Sequence, residues 1–390
     1  MSTCALADAP PPRALDLLDF CKGAAILGVI GIHLRPGWFG WQGVHVFIVL
    51  SGFLLAYSRL RRGETPWRAW FRRRARRVLP AAWAVALAGV AIVGVLALFG
   101  LNLEGVTFRE SAARLPLDVF LLRNWSDKGM FAYPNASLWY VPLLAGLTLV
   151  FPLLYRASAA GRWRAVALAA VAVEVTYRAA AVAWLDGVPV GTGHGFLGVV
   201  WPTPPVLDHV PPDVPFQRWA PFGLFPSRAG EFALGVAAAF AWSERPAAAD
   251  RWTLGARPAL VGAALWLGGN ALLSARWGWA LADLPIAVGA VLLLLGLAHV
   301  VRQWAGPVFR VVSRAGVLSL PLFLVHLPVS YVTVATFPLW GGAVWSMALA
   351  VVLTLVGLWG ASRALLAFDR SRAAEAVARV AIDPLVRAGE

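Results

Sequence analysis

Ten apolar stretches, each close to the length of a membrane-spanning helix, dominate this sequence. A helix that rises 1.5 Å per residue needs about 20 residues to cross the ~30 Å hydrocarbon core of a bilayer. Charged residues make up only 14% of the 390 residues, well below the roughly 25% of soluble domains. The sequence therefore predicts an all-α, polytopic transmembrane helical bundle and excludes a soluble enzyme. The ten predicted spans are 16–34, 38–58, 78–101, 137–155, 163–185, 228–243, 257–275, 279–300, 314–336 and 340–364.

The segments outside these spans complete the predicted domain organisation. We assign residues 1–15 to a cytoplasmic N-terminal tail, 16–365 to the transmembrane domain and 366–390 to a cytoplasmic C-terminal tail. Residues 186–227 are rich in proline, which removes backbone donors and breaks helices, so they are predicted to form an extracytoplasmic loop. Residues 113–124 are apolar but too short to cross the membrane, which favours an interfacial or re-entrant segment.

Basic residues lie mostly on one side of the predicted spans. If the N-terminus is cytoplasmic, the inner segments hold 24 of the 34 lysine and arginine residues and the outer segments hold seven. By the positive-inside rule, both termini are predicted to face the cytoplasm. Topology also explains the formal net charge of +14, so we expect membrane lipids as partners and no nucleic acid.

The first predicted span carries three ionisable residues, Asp19, Lys22 and His33. Lys22 and His33 are eleven residues apart, which places them within about 20° on one helix face and about 16 Å apart along the axis. Asp19 is spaced to pair with Lys22 at i, i+3. Charges inside a membrane are costly, so these residues are functional candidates. The alternative is that Lys22 reaches the cytoplasmic surface and His33 lies in water at the outer end.

Further polar residues occur in the second and ninth spans. His45 and Ser51 lie in the second span, where a serine often only bonds back to the preceding helical turn. His326 lies in the ninth span between Pro321 and Pro328, whose missing donors free backbone carbonyls. A buried imidazole at that depth is more often a bridge between helices than a ligand. Ser51 and His326 therefore each have a structural interpretation beside the functional one.

Acidic residues also occur in three other predicted spans, and in two of them a basic residue lies three or four positions away. Arg228 and Glu231 are i, i+3 neighbours at the start of the sixth span. Glu174 and Arg178 in the fifth span are i, i+4 neighbours, which predicts a pair that one helix neutralises by itself. Asp283 lies near the outer end of the eighth span, where we expect a solvated position.

The segment WRAWFRRRARRVLP, residues 67–80, is the most basic part of the chain. One interpretation is a topology anchor that contacts anionic lipids. The other is a phosphate clamp, because the arginine fork matches phosphate geometry bidentately. The sequence contains no Gly-rich phosphate loop, zinc motif, nucleophile elbow or carboxylate dyad, so neither an ATP-driven nor a metal-dependent reaction is expected.

Several sequence blocks follow one another between residue 15 and about residue 365. They are LLDFCKGAAILGVIGIHL (17–34), GVHVFIVLSGFLL (43–55), FRRRARRVLPAAW (71–83), SLWYVPLLAGLTLVFPLL (137–154), SRAGEFALG (227–235) and VLSLPLFLVHLPV (317–329). In order and spacing, these blocks resemble the integral-membrane acyltransferase family 3. Lys22 and His33 fall on the basic residue and the histidine of the family's first helix, and Arg73, Arg74 and Arg77 fall on its arginine cluster.

The resemblance implies a reaction as well as a fold. It implies about ten helices in a bacterial cytoplasmic membrane, acyl-CoA as a co-substrate that enters from the cytoplasm, and no permanently bound cofactor or metal. The acyl group would pass to a hydroxyl of a sugar, glycolipid, cell-envelope polysaccharide or secondary metabolite.

The resemblance also assigns roles to individual residues. His33 is expected to act as the general base or to accept the acyl group transiently, because a histidine can exchange a proton near neutral pH. Lys22 is the second catalytic candidate. Donor binding is expected from Arg73, Arg74 and Arg77. Supporting or substrate-binding roles are expected for Asp19, His45, Ser51, Arg228, Glu231 and His326.

Two departures from the family pattern leave alternatives open. The family usually has a Glu-Glu-Gln run where this chain has Leu144, Ala145 and Gly146, and an aspartate where this chain has His45. These changes fit a divergent acceptor or a catalytically degenerate homologue. A transporter or flippase would use similar intramembrane charges and broken helices. The sequence shows no inverted repeat, which disfavours that class.

Overall fold

The computed structural model describes residues 13–34, 39–63, 65–101, 106–126, 130, 135–185, 187–188, 219–336 and 344–384. These residues form helices joined by short turns, which confirms the predicted all-α bundle. The principal helices are α1 (Leu18–Leu34), α2 (Gly43–Arg62), α3 (Trp67–Leu98), α4 (Phe108–Val119), α5 (Tyr140–Ala157), α6 (Trp163–Trp184), α7 (Ala229–Glu244), α8 (Pro246–Thr253), α9 (Ala256–Leu272), α10 (Asp283–Trp304), α11 (Gly306–Val317), α12 (Ser319–Thr336), α13 (Val344–Asp369) and α14 (Arg372–Val377).

The chain divides into two compact units. The first consists of residues 1–64 and 143–319, and the second of residues 65–142 and 320–390. In the first unit, α1 packs against α11, α2 and α6 pack against α7, and α9 packs along α10. In the second unit, α3 packs against α4, α13 and α14.

Six helical stretches of the described chain are long and apolar enough to cross a membrane. Helices α1, α7 and α9 are shorter, with 17, 16 and 17 residues. The long apolar stretches support an integral membrane protein, and the number of ten spans stays a prediction. The six stretches are Gly40–Arg62, Trp67–Leu98, Ala136–Trp184, Asp283–Trp304, Ser319–Thr336 and Leu349–Asp369.

The stretch Ala136–Trp184 contains two helices rather than one. At 49 residues a single helix would be about 74 Å long, more than twice the hydrocarbon thickness. The helical conformation is interrupted at Ala160 and at Gly161, which has φ 80°. Glycine adopts this left-handed conformation without the steric cost that a Cβ brings. The interruption separates α5 from α6, in agreement with the predicted spans 137–155 and 163–185.

Helix α3 begins much earlier than the predicted span 78–101. It runs from Trp67 to Leu98 and has 32 residues, which corresponds to about 48 Å. Only about 20 of these residues are needed to cross the hydrocarbon core. The basic segment therefore continues the same helix beyond the membrane thickness. The prediction missed this continuation because it followed the apolar residues alone.

The segment predicted as interfacial or re-entrant, 113–124, belongs to a short helix and the turn after it. Helix α4 has 12 residues, too few to cross a bilayer. The Thr107 side chain caps its start by accepting a hydrogen bond from the Glu110 backbone N–H at 3.2 Å. Asp118 in the last turn of the helix forms a buried ion pair with Arg123 in the turn that follows.

The proline-rich segment 186–227 lies mostly outside the described residues, which resume at 219. Its last part is folded into two short helical turns, Ala220–Gly223 and Phe225–Arg228. Phe222 in the first turn is fully buried. It belongs to an apolar cluster, in which Ile32, next to His33, also takes part. The end of the predicted loop thus forms part of the core of the first unit.

Candidate functional site

Helix α1 carries the two predicted catalytic residues near opposite ends. The Lys22 ammonium pairs with Asp19 at 2.7 Å, as the i, i+3 spacing predicts, and both side chains are partly exposed. His33 lies one residue before the end of the helix and is exposed. The eleven-residue separation on a continuous helix keeps Lys22 and His33 on one face.

A buried group of ionisable side chains lies at one end of the helices of the first unit. Three acids and three bases contribute to it, all at most 1% exposed. They come from the start of α2, the second half of α6, the turn before α7, the start of α7 and the start of α10. We call this group the charge cluster, and its members are His45, Glu174, Arg178, Arg228, Glu231 and Asp283.

His45, Glu231 and Arg228 form the centre of the charge cluster. His45 Nδ1 lies 3.0 Å from both carboxylate oxygens of Glu231. Because a carboxylate only accepts hydrogen bonds, the Nδ1 proton is assigned as a donor to Glu231. Arg228 Nη1 donates to Glu231 Oε1 at 2.8 Å and lies 3.1 Å from His45 Nδ1. His45 of α2 thus joins the pair that Arg228 and Glu231 form at i, i+3.

Asp283 pairs with two arginines, one from α6 and one from the turn before α7. It accepts hydrogen bonds from both Arg178 and Arg228. Arg178 also donates to the Trp279 carbonyl through Nη2 at 2.6 Å and Nε at 3.2 Å. The expectation of a solvated Asp283 was wrong: the side chain is 0% exposed. Because the Asp283 carboxylate is buried, its charge is stabilised by the two guanidinium groups and not by solvent.

Glu174 has a different partner from the one that the sequence spacing predicts. Its Oε2 accepts backbone N–H bonds from Gly230 at 2.8 Å and Glu231 at 3.1 Å. These N–H groups lie in the first turn of α7, where a carboxylate is favoured by the unpaired donors and the helix dipole. The predicted pair within α6 is wrong, because Arg178 turns instead to Asp283 of α10.

Three members of the charge cluster have the spacing of metal ligands. His45, Glu231 and Asp283 offer ligand atoms that all lie within 4.8 Å of one another. Arg228 Nη1 lies among them and donates to both carboxylates. The guanidinium group of Arg228 therefore supplies the positive charge between these three side chains. Its charge-assisted hydrogen bonds are typical of a network that stabilises the fold.

Helices α2 and α7 cross at two glycines, and this crossing positions His45 against Glu231. A Cβ on Gly52 would overlap the Phe232 carbonyl, and a Cβ on Gly235 would overlap the Val49 carbonyl. Small residues allow such close backbone approach between membrane helices. The crossing thus depends on the absence of side chains at these two positions.

We expect Gly235→Ala to lower stability by about 1–3 kcal/mol, because the added methyl group must displace the α2 backbone. The matched control is Gly268→Ala in α9, where an added Cβ meets nothing within 4 Å. That control should be neutral or slightly stabilising, since alanine favours a helix over glycine. Thermal unfolding in detergent measures both changes. Equal midpoints for the two variants would contradict the tight crossing.

The predicted donor-binding arginines lie on one face of α3. Arg73, Arg74 and Arg77 follow the spacing i, i+1, i+4, so their side chains emerge within about 100° of one another. Arg73 and Arg77 are exposed, and Arg74 is half-buried. We call these three residues the arginine stripe. Arg73 and Arg74 lie about two turns, and Arg77 about three turns, after the start of the helix at Trp67.

Arg76 of α3 differs from the arginine stripe because it has a protein partner. Its Nε donates to Asp383 Oδ1 at 3.0 Å, and its Nη2 donates to Oδ2 of the same carboxylate. Asp383 follows α14, so the predicted C-terminal tail packs on the helix that carries the basic segment. Arg76 is therefore assigned to the packing of the C-terminal segment and is not counted in the arginine stripe.

Ser51 and His326, like Asp19, are predicted supporting residues that are not members of the charge cluster. His326 is buried in α12, and its Nδ1 lies 2.7 Å from the carbonyl of Phe323 on the same helix. The second unit thus contains His326, whereas the charge cluster belongs to the first. Ser51 is half-buried in α2 and lies six residues after His45 on the same helix.

Sequence reasoning missed half of the charge cluster. Glu174, Arg178 and Asp283 had structural or solvated interpretations, because each was considered with neighbours on its own helix. Their role could have been predicted from the cost of a charge inside a membrane. Because of this cost, each charged side chain needs a partner of opposite charge within the bundle. The partners of these three residues lie far away in sequence: Arg178 and Asp283, for example, are 105 residues apart.

Comparison with protein families identifies the class of the chain. The family model of an acyltransferase domain, that of acyltransferase family 3, matches residues 15–363. The chain belongs to acyltransferase family 3. It is therefore an acyltransferase, and its apolar helices make it an integral membrane protein. No curated protein and no solved structure matches the chain.

Membership of acyltransferase family 3 confirms the resemblance of the sequence blocks, and the matched region covers nearly the whole segment that they occupy. The roles of His33, Lys22 and the arginine stripe stay predictions.

Proposed function

We propose that this member of acyltransferase family 3 moves an acetyl or other short acyl group from acyl-CoA to a hydroxyl group. The acceptor is a sugar, glycolipid, cell-envelope polysaccharide or secondary metabolite. The reaction takes place at a bacterial cytoplasmic membrane, with the donor supplied from the cytoplasm. Acyl-CoA is a co-substrate, and the chain needs no permanently bound cofactor for this chemistry.

The arginine stripe is the observation that most directly supports the donor. Acyl-CoA carries phosphate groups, which arginine binds through bidentate, charge-assisted hydrogen bonds. Arg73 and Arg77 are exposed, so their guanidinium groups are accessible to a phosphate-bearing ligand. A helix that is longer than the membrane core presents them outside the hydrocarbon region.

His33 carries the chemical step in this proposal. A ring nitrogen of His33 takes the proton of the acceptor hydroxyl while the hydroxyl oxygen attacks the thioester carbonyl carbon. The tetrahedral intermediate collapses, the carbon–sulfur bond breaks, and the CoA thiolate takes up the proton. Lys22 lies on the same face of α1 about 16 Å away, a separation comparable with the length of the pantetheine arm of CoA. The charge cluster stabilises the helices of the first unit at the end where α1 carries His33.

Membrane vesicles supplied with label in the acetyl group of acetyl-CoA separate transfer from transport. An acyltransferase leaves the label covalently bound to an acceptor after extraction, whereas a transporter or flippase moves a substrate without forming an ester. Vesicles that contain the protein but form no labelled ester would contradict the proposed function. A chain that binds acetyl-CoA without forming an ester would be a degenerate homologue.

The arginine stripe itself is tested by changing Arg77. If Arg77 holds a donor phosphate, losing its charge-assisted contact should cost about 1.5–3 kcal/mol, which is about a 10- to 150-fold rise in the Kd for acetyl-CoA. Arg77→Lys should restore little of this affinity, because an ammonium lacks the planar fork. Donor titration of the purified variants measures both values.

Arg72→Ala is the matched control, because Arg72 is an exposed arginine on another face of α3. Its Kd for acetyl-CoA should equal that of the wild type. Equal membrane insertion of the variants is confirmed first. If Arg77→Ala then binds acetyl-CoA with the Kd of the wild type, Arg77 is a topology anchor and not a donor-binding residue.

A further inference from the structure

Three aromatic side chains precede the arginine stripe at the start of α3. The ring centroids of Trp67 and Trp70 lie 5.6 Å apart, and those of Trp70 and Phe71 lie 5.0 Å apart, both in edge-to-face geometry. All three residues are half-buried, so each retains an accessible part. Trp70 is the central ring of the group.

Trp70 lies on the same helix face as the arginine stripe. The positions of Trp70, Arg73, Arg74 and Arg77 correspond to i, i+3, i+4 and i+7, which is the spacing of a continuous stripe along a helix. The stripe extends about 10 Å from Trp70 to Arg77. An aromatic ring is therefore followed along one face by three guanidinium groups.

This order of groups matches the chemistry of a nucleotide. A purine base stacks on an aromatic ring, and the phosphates attached through the ribose accept hydrogen bonds from arginine. We propose that Trp70 stacks on the adenine ring of the acyl-CoA donor while the arginine stripe holds the phosphates. This inference rests on the proposed function, because it assigns a subsite to the same donor.

The position of Trp70 disfavours a simple membrane-interface anchor. Tryptophan anchors lie where the hydrocarbon meets the headgroups. The apolar part of α3 starts at Val78 and ends at Leu98, and Trp70 lies eight residues before Val78, which is about 12 Å along the axis. Trp70 is therefore at or beyond the headgroup layer, on the part of the helix that carries the arginines.

Two donors that differ only in the nucleotide provide the test. Acetyl-CoA contains the adenine ring, and acetyl-phosphopantetheine lacks it. Trp70→Ala should raise the Kd for acetyl-CoA about 5- to 150-fold, the range for loss of one base–aromatic stack. The same variant should bind acetyl-phosphopantetheine with the Kd of the wild type. Trp70→Phe keeps an aromatic ring and should bind acetyl-CoA within a few-fold of the wild type.

Trp304→Ala is the matched control, because Trp304 is 85% exposed at the end of α10 in the first unit. It should leave both Kd values unchanged. Unchanged acetyl-CoA binding by Trp70→Ala, or an equal loss for both donors, would overturn the stacking assignment while leaving the proposed function intact. A wild-type protein that binds neither donor would overturn the proposed function and the subsite together.

Discussion

Replacing Arg228 with methionine is expected to lower the stability of the protein by about 3–5 kcal/mol. Arg228 is 1% exposed and lies between the carboxylates of Glu231 and Asp283. Removing its charge leaves buried anions with fewer counter-charges and unsatisfied oxygens. The thermal unfolding midpoint of the purified protein in detergent measures the loss.

Two further variants separate the charge effect from a change in packing. Adding Glu231→Gln to Arg228→Met removes one acid together with one base and should recover part of the lost stability. Arg302→Met removes an arginine that pairs with Asp16 at 3.4 Å, where both side chains are at least half exposed. An exposed pair contributes about 0–1 kcal/mol, so this control should unfold near the wild-type temperature. Similar midpoints for Arg228→Met and Arg302→Met would show that the charge cluster contributes little.

The second large effect is expected at His33. If His33 is the general base, His33→Ala should lower the rate of acyl transfer by about 10²- to 10⁴-fold. The Kd for acetyl-CoA should change little, because the arginine stripe is assigned to donor binding. His299→Ala is the matched control, since His299 lies on α10 and contacts Gln303 of the same helix.

Initial rates of ester formation at saturating acetyl-CoA measure the loss for both histidine variants. His299→Ala should transfer acyl groups at the wild-type rate. A His33→Ala variant with full activity would remove His33 from the mechanism.

The helices that the sequence predicted well are those whose apolar residues continue to both ends. The predicted spans 279–300 and 137–155 lie within a few residues of α10 and α5. Such spans are predictable because the length and apolar composition of a crossing helix are set by the bilayer. Helix α3 was predicted less well, since its first eleven residues are mainly basic and aromatic and are helical without being apolar.

The charge cluster could be predicted only in part. Pairing between residues three or four apart follows from helix geometry, and it correctly joined Asp19 to Lys22 and Arg228 to Glu231. Pairing between helices depends on which faces meet, and one sequence contains no direct signal for that. His45 therefore was a candidate without a known partner.

The same limit explains the errors at Glu174 and Asp283. A neighbour on the same helix was the only partner that the sequence could offer to Glu174, although the backbone donors of α7 bind it. Asp283 stands at the start of α10, where water would normally satisfy a carboxylate. Packing of α6 and the turn before α7 brings two arginines to it instead.

Transfer from acyl-CoA to a hydroxyl is measured most directly with the purified protein in lipid nanodiscs. Acetyl-CoA labelled in the acetyl group is supplied together with an extract that contains the acceptor, and free CoA thiol and ester-bound label are quantified together. We expect one thiol released for each labelled ester formed, in wild type and in His299→Ala, and almost none in His33→Ala. Intact acetyl-CoA and no labelled ester in the wild type would contradict the assignment of this chain as an acyl-CoA-dependent O-acyltransferase.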